Sequence, residues 1–173
     1  MEEGTMSSDV QRLLEAANFA AIKHKSQRRK DPEGTPYINH PLALLHDTVE
    51  DTDTTFAEIE ERFGEKVRSI VAEVTDDKLL SKKERKLRQI QHAPHCSYEA
   101  KLVKLADKLY NLRDLKRCTP AGWTERRVEE YFIWASSVIA GLRGTNQTLE
   151  KSLDALFKER NILLDDKFLS ERD

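Results

Sequence analysis

Apolar residues recur every three or four positions through most of the chain, which is the period of helices that bury one side. The stripes predict helices from Ser8 to about Lys25, Leu42 to Asp51, Thr55 to Gly64, Val67 to Val74, Ser81 to about His92, Ser97 to Leu112, Val128 to Gly144 and Leu149 to Phe157. Runs that alternate apolar and polar residues, as half-buried strands do, are missing from the sequence. The pattern predicts an all-α single-domain helical bundle.

Local signals set several of the predicted helix ends. Thr55 with Glu58, and Ser81 with Glu84, have the T/S-x-x-E spacing of a capping box. The polar segment 28–39, RRKDPEGTPYIN, contains two prolines and a glycine and is predicted to be a loop. We expect residues 1–164 to form the domain and the charged residues 165–173 to form a frayed tail.

The composition of the chain limits the kinds of molecule that it is expected to bind. Charged residues make up 35% of the 173 positions but leave a net charge of only −2, which excludes a strong general attraction to nucleic acid or to a membrane surface. The sequence has two cysteines, an N-terminus without a secretory signal pattern, and apolar runs too short to span a membrane. We therefore expect a cytoplasmic protein that binds a small molecule; the sequence does not predict its oligomeric state.

The segment HDTVED, from His46 to Asp51, places four ionisable residues at the end of an apolar run. On a helix, His46, Asp47, Glu50 and Asp51 fall within about 140° of arc. An imidazole among carboxylates suits a divalent ion such as Mn, Fe or Zn. The alternative interpretation is a solvated helix end, which a short motif alone does not exclude.

Two further segments carry candidate chemistry. KLVKLADKLYNLRD, 101–114, places Asp107 and Asn111 one turn apart, where Asp107 could complete a metal site or merely pair with lysines on an ordinary amphipathic helix. RRKDPEGTPYINHP, 28–41, brings basic residues a short way before His40, as a phosphate-binding loop would.

These three segments, in this order, closely resemble the hydrolase domain of the RelA/SpoT type in the HD superfamily, especially the small animal SpoT-like hydrolases. The resemblance runs from about Leu14 to Leu156. It implies a manganese-dependent enzyme that removes the 3′-pyrophosphate of the alarmone guanosine tetra- or pentaphosphate, giving GDP or GTP. The resemblance covers the degrading activity of alarmone metabolism and does not extend to a synthetase domain.

The resemblance also implies roles for individual residues. The family's metal ligands match His40, His46, Asp47 and Asp107, and its hydrolytic acidic pair matches Glu50 and Asp51. Positions that contact the nucleotide in the family match Arg29, Lys30, Lys82, Asn111 and Tyr131. A divalent ion acidifies water and polarises a phosphoryl oxygen, which agrees with this assignment.

The spacing between His40 and His46 departs from the family pattern. In the family these two ligands belong to different elements, whereas here they are six residues apart, so roughly twenty residues, about one helix plus a loop, are missing around Leu42. On one continuous helix the two histidines would lie roughly 9 Å apart along the axis and about 240° apart around it. They would not readily share one ion. A splice variant or an engineered deletion would both leave this pattern.

Two alternative functions remain open on the sequence. The same site could hydrolyse another ribose phosphate ester, such as the 2′-phosphate of NADPH. The shortened chain could instead be a catalytically impaired form that acts only as a nucleotide-binding or interaction protein.

Overall fold

The structure is a computed structural model that describes Phe19, Ile22 and residues 44–162; for Leu44, His46 and Asp47 it describes the backbone only. Its helices are α1 (Leu44–Asp51), α2 (Phe56–Phe63), α3 (Glu65–Val74), α4 (Lys82–His92), α5 (Tyr98–Arg117), α6 (Glu125–Ala140) and α7 (Gln147–Glu159), with a 3₁₀ turn at Ala93–His95. Strands are absent from this part of the chain, so the all-α prediction is confirmed. The predicted helix from Ser8, the loop 28–39 and the tail 165–173 lie outside the described residues, apart from Phe19 and Ile22, which are helical.

The predicted caps form the expected hydrogen bonds. Ser81 accepts at Oγ from the backbone N–H of Glu84 at 3.3 Å, and Glu84 accepts from the backbone N–H of Ser81 at 2.9 Å, which completes a capping box at the start of α4. At the start of α2, Thr55 accepts at Oγ1 from the backbone N–H of Glu58 at 3.2 Å, which is one of the two hydrogen bonds of the predicted box. Gly64 ends α2 at φ 86°, a positive φ that favours glycine.

The predicted end of α6 at Gly144 is wrong. The helix ends at Ala140, with Gly141 at the C-cap, and Gly144 follows in the next turn at φ 81°. A Cβ added to Gly141 would lie 2.8 Å from Cδ of Pro94 and 2.9 Å from Cβ of Ala93. Gly141 is therefore needed for a close approach between the end of α6 and the 3₁₀ turn.

The described chain divides into two compact units at the boundary between Thr75 and Asp76. The first unit contains α1 to α3 around a small apolar cluster in which Phe19, Ile59 and Val71 are buried. The ring of Phe19 meets that of Phe63 edge to face at 5.7 Å. The expectation of one domain over residues 1–164 stays a prediction.

The second unit contains α4 to α7 around a much larger core. Its buried residues come mainly from α5, α6 and α7 and include Leu105, Leu112, Phe132, Ile139 and Phe157. Phe132 and Phe157 pack edge to face at 6.4 Å between α6 and α7. No helix of the described residues has both the length and the apolar composition that crossing a membrane requires.

Candidate active site

The HDTVED segment forms most of α1, as the sequence predicted. Thr48 is fully buried, and Leu45 and Val49 pack against the small cluster of the first unit, so one side of α1 faces the core. The helical backbone places positions 46, 47, 50 and 51 on the opposite arc. Glu50 is half-buried and Asp51 is exposed. Three of the predicted site residues, Arg29, Lys30 and His40, lie outside the described residues.

Asp107 lies on α5 and is held by two donors from its own helix. Its Oδ2 accepts from Nζ of Lys108 at 2.8 Å, and its Oδ1 accepts from Nδ2 of Asn111 at 2.9 Å. The side chain of Asp107 is only 14% exposed. The predicted pair of Asp107 and Asn111 is thus joined directly in the structure.

Lys104 and Lys108 of α5 are buried, unlike the solvent-exposed lysines of an ordinary amphipathic helix. The long α5 contributes to the centre of the second unit, so neighbouring helices cover these two lysines as well as its apolar residues. Burial lowers the pKa of Lys104. Burial also acts to lower the pKa of Lys108, but the negative charge of Asp107 outweighs it and raises that pKa above its usual range.

A groove of about 560 Å³ runs between α4 and α6 in the second unit. Two of the predicted nucleotide contacts, Lys82 and Tyr131, line it together. Arg85, Lys86 and Arg127 add positive charge to the same walls, against the acidic Asp76 and Glu130. The groove is therefore basic, polar and of a size that suits a small anionic ligand.

Aromatic rings form much of the α6 side of the groove. The ring centroids of Tyr131 and Trp134 lie 5.1 Å apart, and those of Trp123 and Tyr131 lie 6.0 Å apart. The ammonium of Lys86 lies 4.7 Å from the ring centroid of Trp134, and the guanidinium carbon of Arg127 lies 4.2 Å from that of Trp123. Rings and cations together suit a base and its phosphates.

Sequence reasoning missed Arg85, Arg127, Trp123 and Trp134 as groove residues. A signal for them was present in the spacing: Arg127 and Tyr131 are four residues apart, and Lys82 and Arg85 three, so each pair lies on one helix face. Tyr131 and Trp134 both pack against the core of the second unit and also line the groove.

The donor types of the predicted ligands fit a divalent metal. Imidazole and carboxylate groups bind manganese, iron and zinc, and a carboxylate oxygen has more than one lone pair with which to accept. Among the described side chains no group of three or more histidine, cysteine or acidic residues forms a metal-binding cluster. The predicted set depends on His40, His46 and Asp47, whose side chains are outside that description, so it stays a prediction.

Comparison with known proteins identifies the family. The family profile described as the HD domain matches residues 42–137. The chain is 65% identical to the guanosine-3′,5′-bis(diphosphate) 3′-pyrophosphohydrolase MESH1 of Xenopus tropicalis, over 91% of this chain and 99% of the frog protein. It is 59% identical to the MESH1 protein of Homo sapiens, over 92% of this chain and 100% of the human protein.

Solved structures give the same fold. One neighbour, described as "a metazoan ortholog of SpoT" that "hydrolyzes ppGpp and plays a role in starvation responses", is 49% identical with a TM-score of 0.84 and covers 88% of this chain and 97% of its own. A Listeria monocytogenes protein, 26% identical, matches with a TM-score of 0.58 over 87% of this chain and 94% of its own.

The alignment also bears on the expected gap. It spans 177 positions with the frog protein but includes 91% of this 173-residue chain, about 157 residues, so about 20 positions of the relative have no counterpart here. This number agrees with the missing helix and loop, whose location near Leu42 stays a prediction. Through its HD domain and these high identities, the chain belongs to the HD-domain family, among the RelA/SpoT-like hydrolases.

Proposed function

We propose that this protein hydrolyses guanosine 3′,5′-bis(diphosphate) at its 3′ position and releases GDP and pyrophosphate. The observation that carries the proposal is the 65% identity to a protein named for this activity, over 99% of that protein's length. The metazoan ortholog of SpoT, which is 49% identical, hydrolyses ppGpp, the same nucleotide. The basic and aromatic groove between α4 and α6 provides the chemistry that such a nucleotide needs.

HD-domain hydrolases are metal-dependent, and we propose Mn²⁺ for this one. His40, His46, Asp47 and Asp107 would hold the ion, which when bound supplies Lewis-acid polarisation of a phosphoryl oxygen and acidifies water. Asn111 keeps the Asp107 carboxylate oriented through its 2.9 Å hydrogen bond. Orientation of a ligand by a hydrogen-bonded neighbour is a common way in which proteins fix a metal site.

The acidic pair of α1 would act on the attacking water. Glu50 and Asp51 orient that water and accept its proton, and its oxygen forms a bond to the phosphorus attached to the ribose 3′ oxygen. The bond from that phosphorus to the 3′ oxygen breaks, and the 3′ oxygen takes up a proton. The products are the 3′-hydroxyl of GDP and free pyrophosphate, so atoms and charge balance without a further reactant.

The nucleotide would be held by cations and rings. Lys82 and Tyr131 contact it from the groove, and Arg29, Lys30 and Asn111 are the remaining proposed contacts. Fixed cations compensate the charge of the substrate phosphates, and this compensation is stronger in a site that excludes part of the water.

Cys96 and Cys118 are both thiols, which fits the proposed location in the reducing cytoplasm.

A second candidate is a form impaired in catalysis. The alignment favours it, because about 20 positions of the frog relative lack a counterpart in this chain. Such a form would bind nucleotide in the groove without turning it over at the rate of the relative. A third, NADPH 2′-phosphate hydrolysis, uses the same proposed ligands.

One experiment separates these candidates. The purified chain is assayed for pyrophosphate release from guanosine tetraphosphate and for phosphate release from NADPH, each with Mn²⁺ and with EDTA. Manganese-dependent pyrophosphate release supports the proposal, and release of phosphate from NADPH alone would replace it with the third candidate. Nucleotide binding without either product would support the impaired form.

A further inference from the structure

Lys108 is a buried ammonium between two parts of the proposed site. The residue is only 7% exposed. Its Nζ lies 2.8 Å from Oδ2 of Asp107 and 4.9 Å from the ring centroid of Trp134. A single side chain therefore contacts a proposed metal ligand on α5 and an aromatic residue of the groove on α6.

The contact with Asp107 is not a default of helix geometry. Adjacent residues on a helix point about 100° apart and do not normally face each other, so the Lys108 side chain bends back toward the preceding residue. A buried ammonium is costly unless a partner compensates it, and the Asp107 carboxylate is the partner in direct contact. With Asn111 on the other carboxylate oxygen, the rotation of the Asp107 side chain is limited from both sides.

The contact with Trp134 reaches the groove. The indole Nε1 of Trp134 donates to the carbonyl oxygen of Lys86 on α4 at 3.1 Å, and its ring meets Tyr131 at 5.1 Å. Lys86 also places its ammonium 4.7 Å from the centroid of the same ring. The Trp134 ring is thus attracted by one cation from α4 and by one from α5.

We propose that Lys108 is a positioning residue that fixes the Asp107 carboxylate and the Trp134 ring relative to each other. It touches neither substrate nor water in this role and acts through the two residues that it contacts. The inference rests on the proposed function for its kinetic consequence, whereas the effect on Trp134 is independent of any activity.

The chain supplies a matched control in Lys104. This lysine is on the same helix, one turn earlier, and at 8% exposed it is as buried as Lys108. Substitution by methionine removes either ammonium while keeping an unbranched apolar side chain of similar length. A merely structural role would make Lys104→Met and Lys108→Met similar, whereas a positioning role separates them.

The test combines kinetics with a signal that needs neither metal nor nucleotide. In the full chain we expect Lys108→Met to lower kcat by on the order of 10- to 100-fold, as loss of a partner of a metal ligand does, with a smaller change in KM. The indole N–H resonance of Trp134 in a ¹H–¹⁵N spectrum should shift, and its exchange with water should become faster. We expect Lys104→Met to leave kcat and that resonance close to wild type, and Lys108→Arg to restore most of both.

The outcomes are separable. A Trp134 resonance unchanged in Lys108→Met, or equally changed in Lys104→Met, overturns the positioning role whatever the activity. If the Trp134 resonance shifts in Lys108→Met but the wild-type protein does not hydrolyse guanosine tetraphosphate, the positioning role is supported and the proposed function is rejected. If Lys108→Met does not fold, Lys108→Arg decides: kcat and resonance both preserved support the proposal, and a resonance lost despite the retained charge contradicts it.

Discussion

The indole Nε1 of Trp134 donates a hydrogen bond to the backbone carbonyl oxygen of Lys86, and this bond joins α6 to α4 across 48 residues of sequence. Both helices contribute cations to the groove, and the bond fixes how those cations face one another. Charges from two elements can then meet one anionic ligand together. The relative position of the two groove walls in the second unit is therefore set by a specific hydrogen bond.

Lys82→Ala should raise the KM for guanosine tetraphosphate by roughly 3- to 5-fold, the scale of an exposed charged contact, with little change in kcat. Lys83→Ala is the matched control, because Lys83 is an exposed lysine on the same helix turn that does not line the groove. Steady-state kinetics of both variants provide the measurement. Equal KM values for the two would show that Lys82 is only a solvated surface residue.

Asp47→Ala and Asp107→Ala should each abolish metal-dependent hydrolysis, because loss of a carboxylate ligand weakens binding of the ion. Pyrophosphate release at saturating Mn²⁺ measures this, together with manganese content after dialysis. Asp114→Ala is the control, since Asp114 is an acid two turns further along α5 that pairs with Arg117. Activity retained in either ligand variant would refute the assigned metal site.

Gly141→Ala should lower the free energy of unfolding by about 1–3 kcal/mol, the usual cost of overpacking. Backbone strain is not the cause, since φ is −75° at this position. The added Cβ would clash with Cδ of Pro94 at 2.8 Å. In a denaturation series, the double variant with Pro94→Ala should lose less than the sum of the single losses; simple additivity would mean that the clash is relieved elsewhere.

Lys104→Met should raise the thermal midpoint at neutral pH, because it removes a buried ammonium whose pKa burial lowers. In the wild type the unfolded chain binds this proton more tightly than the folded chain. Stability therefore rises with pH between the lowered folded pKa and the usual 10.5, and that rise should be weaker in the variant. The measurement is the thermal midpoint of both proteins at several pH values across that alkaline range. If the two midpoints rise equally with pH, Lys104 is not the group responsible for the rise.

Restoring a helix and loop of about 20 residues near Leu42 should raise manganese affinity by on the order of 10- to 100-fold and speed hydrolysis. It should also raise the unfolding midpoint, since side-chain rearrangement alone does not fill a gap of that size. A glycine–serine insert of equal length is the control. Equal values for the restored, control and present forms would show that His40 reaches the ion by another backbone route.

The sequence was sufficient where a feature depends on local chemistry. The capping box of Ser81 and Glu84 is a bond between neighbours, so residue type and spacing predicted it correctly. The burial of Lys104 and Lys108 was not predicted, because both interrupt an apolar pattern and only the packing of other helices around α5 covers them. The groove was missed for the same reason: Arg127 and Trp134 acquire a role only when α4 lies opposite them.

The division at Thr75 has a practical consequence for how unfolding is observed. Trp123 and Trp134 are the two tryptophans of the whole sequence, and both belong to the second unit. Tryptophan emission therefore reports on the larger core, whereas α1, which carries the HDTVED segment, packs on the smaller cluster, whose unit has no tryptophan. Comparing a far-ultraviolet circular dichroism melt with the emission melt would show whether α1 unfolds first. In that case part of the helical signal would be lost while the tryptophan emission is still that of the native protein.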